Sequence, residues 1–187
     1  MERFNVQNGV PAPLKSVGGT RDSLAKFFGE LGYKVGVEVG VERGLFSRVL
    51  CESIPNLKLK CVDPYLPYRR HTQKWQDRYY RWACERLRGF DVEIIRKPSM
   101  EAVTEIPDKS LDFVYLDQLH DFDFIMVDLI CWSEKVRVGG IISGRSYVSP
   151  IRHNGVKFAV DSYTESHEIT KWYLTDEPDP SFFWVKR

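Results

Sequence analysis

The sequence predicts a doubly wound, mostly parallel α/β sheet of seven strands, with helices on both faces and an antiparallel C-terminal hairpin. Three observations predict it. Short apolar runs rich in β-branched residues alternate along the chain with stretches of helical spacing. Glycines gather where the first such run gives way to a helix. The last two runs, 168–174 and 181–185, are joined by a short turn with two prolines.

Each element has its own warrant. Residues 1–20 hold Pro11, Pro13 and three glycines without periodicity, and read as a flexible lead-in or a lid. One domain is therefore expected over 21–187. Thr20 to Ser23 offer helix-starting residues; Leu24, Phe27, Phe28 and Leu31 follow at helical spacing, and Gly32 stops the helix. Val35 to Val39 reads as a buried strand, 45–54 as a helix, and 57–62 as a second strand ending at Asp63-Pro64. A long polar-aromatic helix covers 72–87, a third strand 91–95, a short helix 99–105 and a fourth strand 111–116. The helix over 122–136 places Phe122, Ile125, Met126, Leu129 and Trp132 at core positions. A fifth strand starts at 140–143, and 155–165 is a further helix before the closing pair.

Composition excludes several classes. The 187 residues fit one domain, and 43% hydrophobic with 28% charged residues matches a soluble globular chain. A net charge of +1 argues against a nucleic-acid or membrane partner. No apolar run approaches the roughly 18 residues of a membrane span, and the first twenty residues lack a leader's apolar core, so a cytoplasmic location is the default. Cys51, Cys61, Cys84 and Cys131 form no C-x-x-C pair, and reduced, buried thiols are expected.

The segment that carries function is Glu38-Val39-Gly40-Val41-Glu42-Arg43-Gly44-Leu45-Phe46-Ser47. Gly40 and Gly44 allow a tight turn and close approach of a ligand, and the helix after Gly44 aims its N–H groups at the loop. A carboxylate, Glu38, precedes the loop. It suits a cationic amino-acid end rather than a phosphate. Asp63, at the tip of the next strand, is placed to accept hydrogen bonds from a ribose diol. The glycine register matches neither G-x-G-x-x-G nor the Walker pattern. An adenosyl ligand without a pyrophosphate fits best.

The run Asp117-Gln118-Leu119-His120-Asp121-Phe122, continuing through Ile125 to Asp128-Leu129 and Trp132, resembles a D-[GA]-x-H-x-[YF]-x-x-V-x-x-D-[IL]-x-x-W pattern. That pattern belongs to class I S-adenosylmethionine-dependent methyltransferases, in the small-molecule O-methyltransferase-like subset (methyltransferase domain family 24-like). Val138 to Gly144 and Gly155 to Asp161 resemble the family's fifth strand and following helix, so the likeness spans about 24–187. It implies a Rossmann-like methyltransferase fold and S-adenosylmethionine as cofactor. It also implies cofactor contacts at Glu38, Gly40, Gly44 and Asp117, a ribose contact at Asp63, and an adenine edge at Ser99 and Met100. Gln118 departs from the small residue of the pattern. Arg145-Ser146 departs further, standing where related enzymes carry His-Asp or Asp-Asp that can hold a divalent metal. A hard cation wants oxygen ligands, so no metal is expected.

Asp117 and His120 are the candidate catalytic residues. The ordinary histidine pKa of ~6.5 suits His120 to accept a hydroxyl proton, and Asp117 alone is an alternative base. Arg145, with Tyr147, is a candidate substrate contact, through an anionic group, or pairs simply with Asp117. His71, His153 and His167 read as surface residues. In 65–88, seven Arg and Lys residues interleave with six aromatics; Trp75, Tyr79, Trp82 and Leu87 recur near helical spacing, so these aromatics are expected to face the core. The leading expectation is methyl transfer to a hydroxyl or similar nucleophile of a small molecule, a sugar or secondary metabolite. The alternatives are a nucleic-acid methyltransferase and a non-catalytic S-adenosylmethionine-binding module. Nucleic acid is the less expected partner, and a homodimer is compatible with the sequence.

Overall fold

The computed structural model describes residues 12–15, 19–148 and 154–187. The strands are β1 (Leu14–Lys15), β2 (Val35–Val39), β3 (Lys58–Val62), β4 (Val92–Ile95), β5 (Leu111–Leu116), β6 (Val136–Gly144), β7 (Tyr173–Leu174) and β8 (Phe182–Val185). The helices are α1 (Arg21–Glu30), α2 (Leu45–Ser53), α3 (Gln73–Leu87), α4 (Ser99–Ala102), α5 (Phe122–Lys135) and α6 (Gly155–Ser166). The described strands form one sheet in the order β1-β7-β8-β6-β5-β2-β3-β4. Strands β2 to β6 run parallel, while β8 is antiparallel to both β6 and β7. The seven expected strands are present. An eighth, β1, comes from the expected lead-in and pairs with β7.

Alternation along the strands divides the core in two. Val37, Val39, Val114 and Leu116 face α5 and α6, with Leu129, Trp132 and Val160. Leu59, Cys61, Phe113 and Tyr115 face α1 to α3, with Leu24, Phe28, Leu50 and Leu87. Period-2 burial with helices above and below is the doubly wound arrangement. The chain steps outward from β2 to β3 and β4, then returns to β5 on the other side of β2. The β2/β5 junction is therefore a topological switch point, where open α/β sheets form their ligand crevice.

Three expectations are corrected. The strand over 168–174 shortens to β7, because 167–169 cap α6 instead: Ile169 N donates to Thr164 O at 2.8 Å and Glu168 takes a left-handed φ of 52°. Of the cysteines only Cys61 is buried; Cys51 and Cys131 are half-buried and Cys84 is exposed. The aromatics of α3 face the core only in part: Tyr79 and Tyr80 pack half-buried against it. The buried residues of the helix are Gln76, Ala83 and Leu87, while Trp75 is 46% exposed. The helices approach closely at one point: a Cβ on Gly44 would lie 3.2 Å from Ala83 Cα, where no aromatic ring would fit. His153 and most of the lead-in (1–11 and 16–18) lie outside the described residues.

Candidate functional site

The C-terminal tips of β2, β3, β5 and β6 meet at the switch point. The sheet's ladder continues past its strands and fixes these tips together. Gly40 N donates to Val62 O (2.8 Å), Asp117 N to Val39 O (2.7 Å) and Arg145 N to Leu116 O (2.9 Å). Gly40 has φ +94°, and a Cβ there would stand 2.2 Å from Asp117 O. Only glycine lets the loop cross the tip of β5 at this distance.

Glu38, one residue before the end of β2, has its carboxyl buried, 1% exposed, and Ser47 of α2 donates its hydroxyl to Glu38 Oε2. Burial pushes the Glu38 pKa up to about 8; the Ser47 hydrogen bond opposes this, and the Asp117 charge adds to it. Arg21, at the start of α1 and stacked 5.2 Å over the Phe46 ring, favours the ionised form. A group this costly to ionise is relieved by a cationic ligand.

Asp63 organises the glycine loop. Its Oδ2 accepts from Val41 N (3.0 Å) and Glu42 N (2.9 Å), and its Oδ1 from Tyr65 N (2.9 Å). Burial raises its pKa and these three hydrogen bonds work against the rise. A carboxylate offers about four acceptor positions, so one remains for a ligand hydroxyl.

At the other end of the crevice, Asp117 Oδ1 lies 3.7 Å from His120 Nε2, and Asp117 Oδ2 lies 3.7 Å from Arg145 Nη1. Arg145 Nε is also 3.3 Å from Asp179 Oδ2, from the loop before β8. Burial works against the Arg145 charge, and Asp117 and Asp179 outweigh it, raising its pKa. Arg145 Nε and Asp179 Oδ1 are buried without a hydrogen-bond partner among the described residues. Below, Tyr115 OH and Ser181 Oγ share a hydrogen bond of 2.8 Å. Burial, then the Asp117 charge, pushes the Tyr115 phenol upward. Tyr115 is thus a neutral hydrogen-bonding group.

Residues 37–147, more than half the chain, match the family described as a methyltransferase domain. The chain belongs to this methyltransferase family. Solved structures share its fold. The O-methyltransferase TomG from Streptomyces achromogenes, solved in complex with SAM and involved in tomaymycin synthesis, is 15% identical with a TM-score of 0.66, over 89% of this chain and 80% of its own. An O-methyltransferase from Bacillus cereus in complex with SAH is 13% identical with a TM-score of 0.66, over 98% and 85%. A putative rRNA-methylase from Clostridium thermocellum is 14% identical with a TM-score of 0.69, over 91% and 97%. No curated protein matches the sequence.

In this methyltransferase the expected residues fall into two groups. Glu38, Gly40, Asp63, Asp117, His120 and Arg145 gather at the C-terminal ends of β2, β3, β5 and β6. Gly44 sets the α2/α3 spacing, with a φ of +69° at the N-cap of α2. The Ser99 side chain is committed elsewhere, donating to Asp128 Oδ1 (2.5 Å) and accepting from Trp132 Nε1 (2.7 Å), while Met100 beside it is 37% exposed. Gln118 donates its amide to Asp128 Oδ2, which explains the departure at that position: the larger residue closes a buried network. Burial pushes the Asp128 pKa up to about 6, against the hydrogen bonds from Ser99 and Gln118. Tyr147 is buried against α6, its hydroxyl donating to Asp161 Oδ1 at 2.7 Å. Arg21 and Asp179 escape a sequence reading because each reaches the site from a distant element, whereas Ser47 stands in the segment that carries function, one helical turn after Gly44.

Proposed function

We propose that the chain binds S-adenosylmethionine across the β2/β5 crevice and methylates a hydroxyl or similar nucleophile of a small-molecule acceptor. The observation that carries this reading is the buried Glu38 carboxyl beneath the glycine loop, at the switch point and facing Asp117. That donor set suits a zwitterionic amino-acid end. Glu38 receives the ammonium, the loop N–H groups approach the carboxylate, and the free acceptor position of Asp63 takes a ribose hydroxyl. The SAM and SAH of the TomG and Bacillus cereus structures support the same ligand.

When bound, the cofactor supplies a methyl group on a sulfonium, which becomes a neutral thioether as the acceptor oxygen takes the methyl. The protein's part is to align the acceptor and remove its proton. His120 Nε2 accepts that proton, and Asp117, 3.7 Å away, stabilises the resulting imidazolium. Arg145 holds Asp117 from the opposite side and places a fixed positive charge where a metal would otherwise sit. Undiminished turnover in excess chelator is therefore expected, and activity lost to chelator and restored by Mg²⁺ would remove Arg145 from this role.

The deciding experiment is thermal unfolding with and without S-adenosylhomocysteine, with NADH as control. At about 100 times its dissociation constant a native-state ligand stabilises by about 2.7 kcal/mol. A shift with the adenosyl ligand alone supports the reading; an equal shift with NADH, or none with either, overturns it. A second reading, a cofactor-binding module without catalysis, is favoured by the tie between Arg145 and both Asp117 and Asp179. Cofactor binding without transfer to any acceptor would establish it.

A further inference from the structure

We infer that the outer face of α3, with the loop 64–72 before it, binds single-stranded nucleic acid. This concerns binding alone, and stands or falls independently of the methyl-transfer reading. Two rings are exposed on this face, and the Arg78 guanidinium lies 5.5 Å over the Trp75 ring and 4.7 Å over that of Trp82. Trp75 is 46% exposed, and Tyr68, 43% exposed, stacks on His71 at 4.9 Å between centroids. They belong to one continuous strip. His71 lies 6.0 Å from Tyr79, which in turn lies 6.1 Å from Trp75 and 5.9 Å from Trp82. Stacking on open rings is how proteins hold unpaired bases, because every base has a π-face.

The charge on this face completes the argument. Residues 65–88 carry seven Arg and Lys against Asp77 and Glu85, in a chain whose net charge is only +1. The positive charge is thus concentrated here and the rest of the chain is net acidic. Among the described residues, Arg70, Lys74, Arg78 and Arg81 form no ion pair with a carboxylate. Asp77, the acid on this stretch that lies amid them, is engaged by Arg96 at 3.6 Å. Cations on and beside exposed rings, with little carboxylate counter-charge, complement a phosphate backbone whose bases are splayed. The same charge disfavours a second copy of this face. The strip also reaches the crevice: Arg69 pairs with Asp121, the residue after His120, at 3.2 Å. A bound strand would therefore run from α3 toward the methyltransferase site.

The test is fluorescence anisotropy with a labelled oligouridylate of about 15 nucleotides, against polyphosphate of matched charge as a probe without bases. Oligouridylate is expected to bind with an affinity that falls as salt rises. Trp75→Ala should weaken it by about tenfold or more and leave the S-adenosylhomocysteine-dependent Tm shift unchanged, which also shows that the variant folds. Lys74→Ala should reduce both affinity and salt slope. Polyphosphate should be indifferent to Trp75→Ala. No oligonucleotide binding at low salt overturns the inference, as does binding that Trp75→Ala leaves intact. Light scattering that shows a dimer abolished by Trp75→Ala would assign the face to a second copy and overturn it equally.

Discussion

Glu38 carries the sharpest consequence of a single side chain. Its pKa, raised by burial to about 8, leaves the carboxyl mostly protonated at neutral pH. An ammonium placed against it draws out the proton, so cofactor binding releases a proton and tightens as pH rises. Affinity for S-adenosylhomocysteine should increase by up to about tenfold per pH unit below pH ~8, then level off. Calorimetry in two buffers of different ionisation enthalpy reads the released proton, and Glu38→Gln should abolish both the slope and the release. Stability has the opposite sign. The folded pKa lies above the ordinary 4.5, so the fold favours the protonated form, and this group's contribution is lost as pH rises from there to about 8. The ligand-free Glu38→Gln protein should therefore melt several degrees higher at pH 8, while binding cofactor worse. A variant that melts lower would show Glu38 to be ionised in the ligand-free fold. His120→Ala is the complementary case: turnover should fall by about 10²–10⁴-fold, with S-adenosylhomocysteine affinity essentially unchanged. Equal turnover leaves Asp117 as the base.

Among elements, the loop between β2 and α2 depends on β3 as much as on its own glycines. Asp63 accepts three backbone N–H bonds, two of them from Val41 and Glu42. Asp63→Asn keeps the size but replaces one acceptor oxygen with a donor facing those N–H groups. The expected cost is about 1–3 kcal/mol, read as a lower urea midpoint, with S-adenosylhomocysteine affinity weakened by about tenfold. Normal stability with weakened binding would make Asp63 a ligand contact alone. The elements themselves were largely legible. Apolar runs such as Val35 to Val39 and Leu111 to Leu116 announce strands because both faces are covered, and the strand-tip acids fall at the crevice because parallel sheets put their ligands there. What the pattern could not reveal were interactions between elements. The spacing of Trp75, Tyr79 and Trp82 points to an aromatic inner face of α3, since these side chains are large and apolar. The fully buried seam is Gln76, Ala83 and Leu87, with the small Ala83 at the point where Gly44 comes closest. Gln118 departs from the family pattern because its amide donates to Asp128, ten residues on, a partner that spacing alone does not reveal.

At the scale of the whole molecule, the C-terminal strand is part of the core rather than an addition to it. β8 lies between β6 and β7, and its side chains alternate between the two cores: Phe182 and Trp184 on the α4–α6 side, Phe183 on the α1–α3 side. Trp184 is 1% exposed and stacks on both Tyr163 (5.8 Å) and Phe182 (5.7 Å). The same region ties down the start of α1, through Arg21 N to Glu177 Oε1 (2.9 Å) and Asp176 N to Gly19 O (2.6 Å). Site and C-terminal strand should accordingly unfold together. Urea denaturation followed by far-UV circular dichroism and by tryptophan fluorescence is expected to give one coincident transition. Trp184→Ala should move it by about 3–5 kcal/mol without splitting it. A separate early transition, moved by Trp184→Ala alone, would mean that β7 and β8 fray as an independent unit. Asp179 would then leave Arg145 before the central sheet gives way, and Arg145 would be released to Asp117 alone.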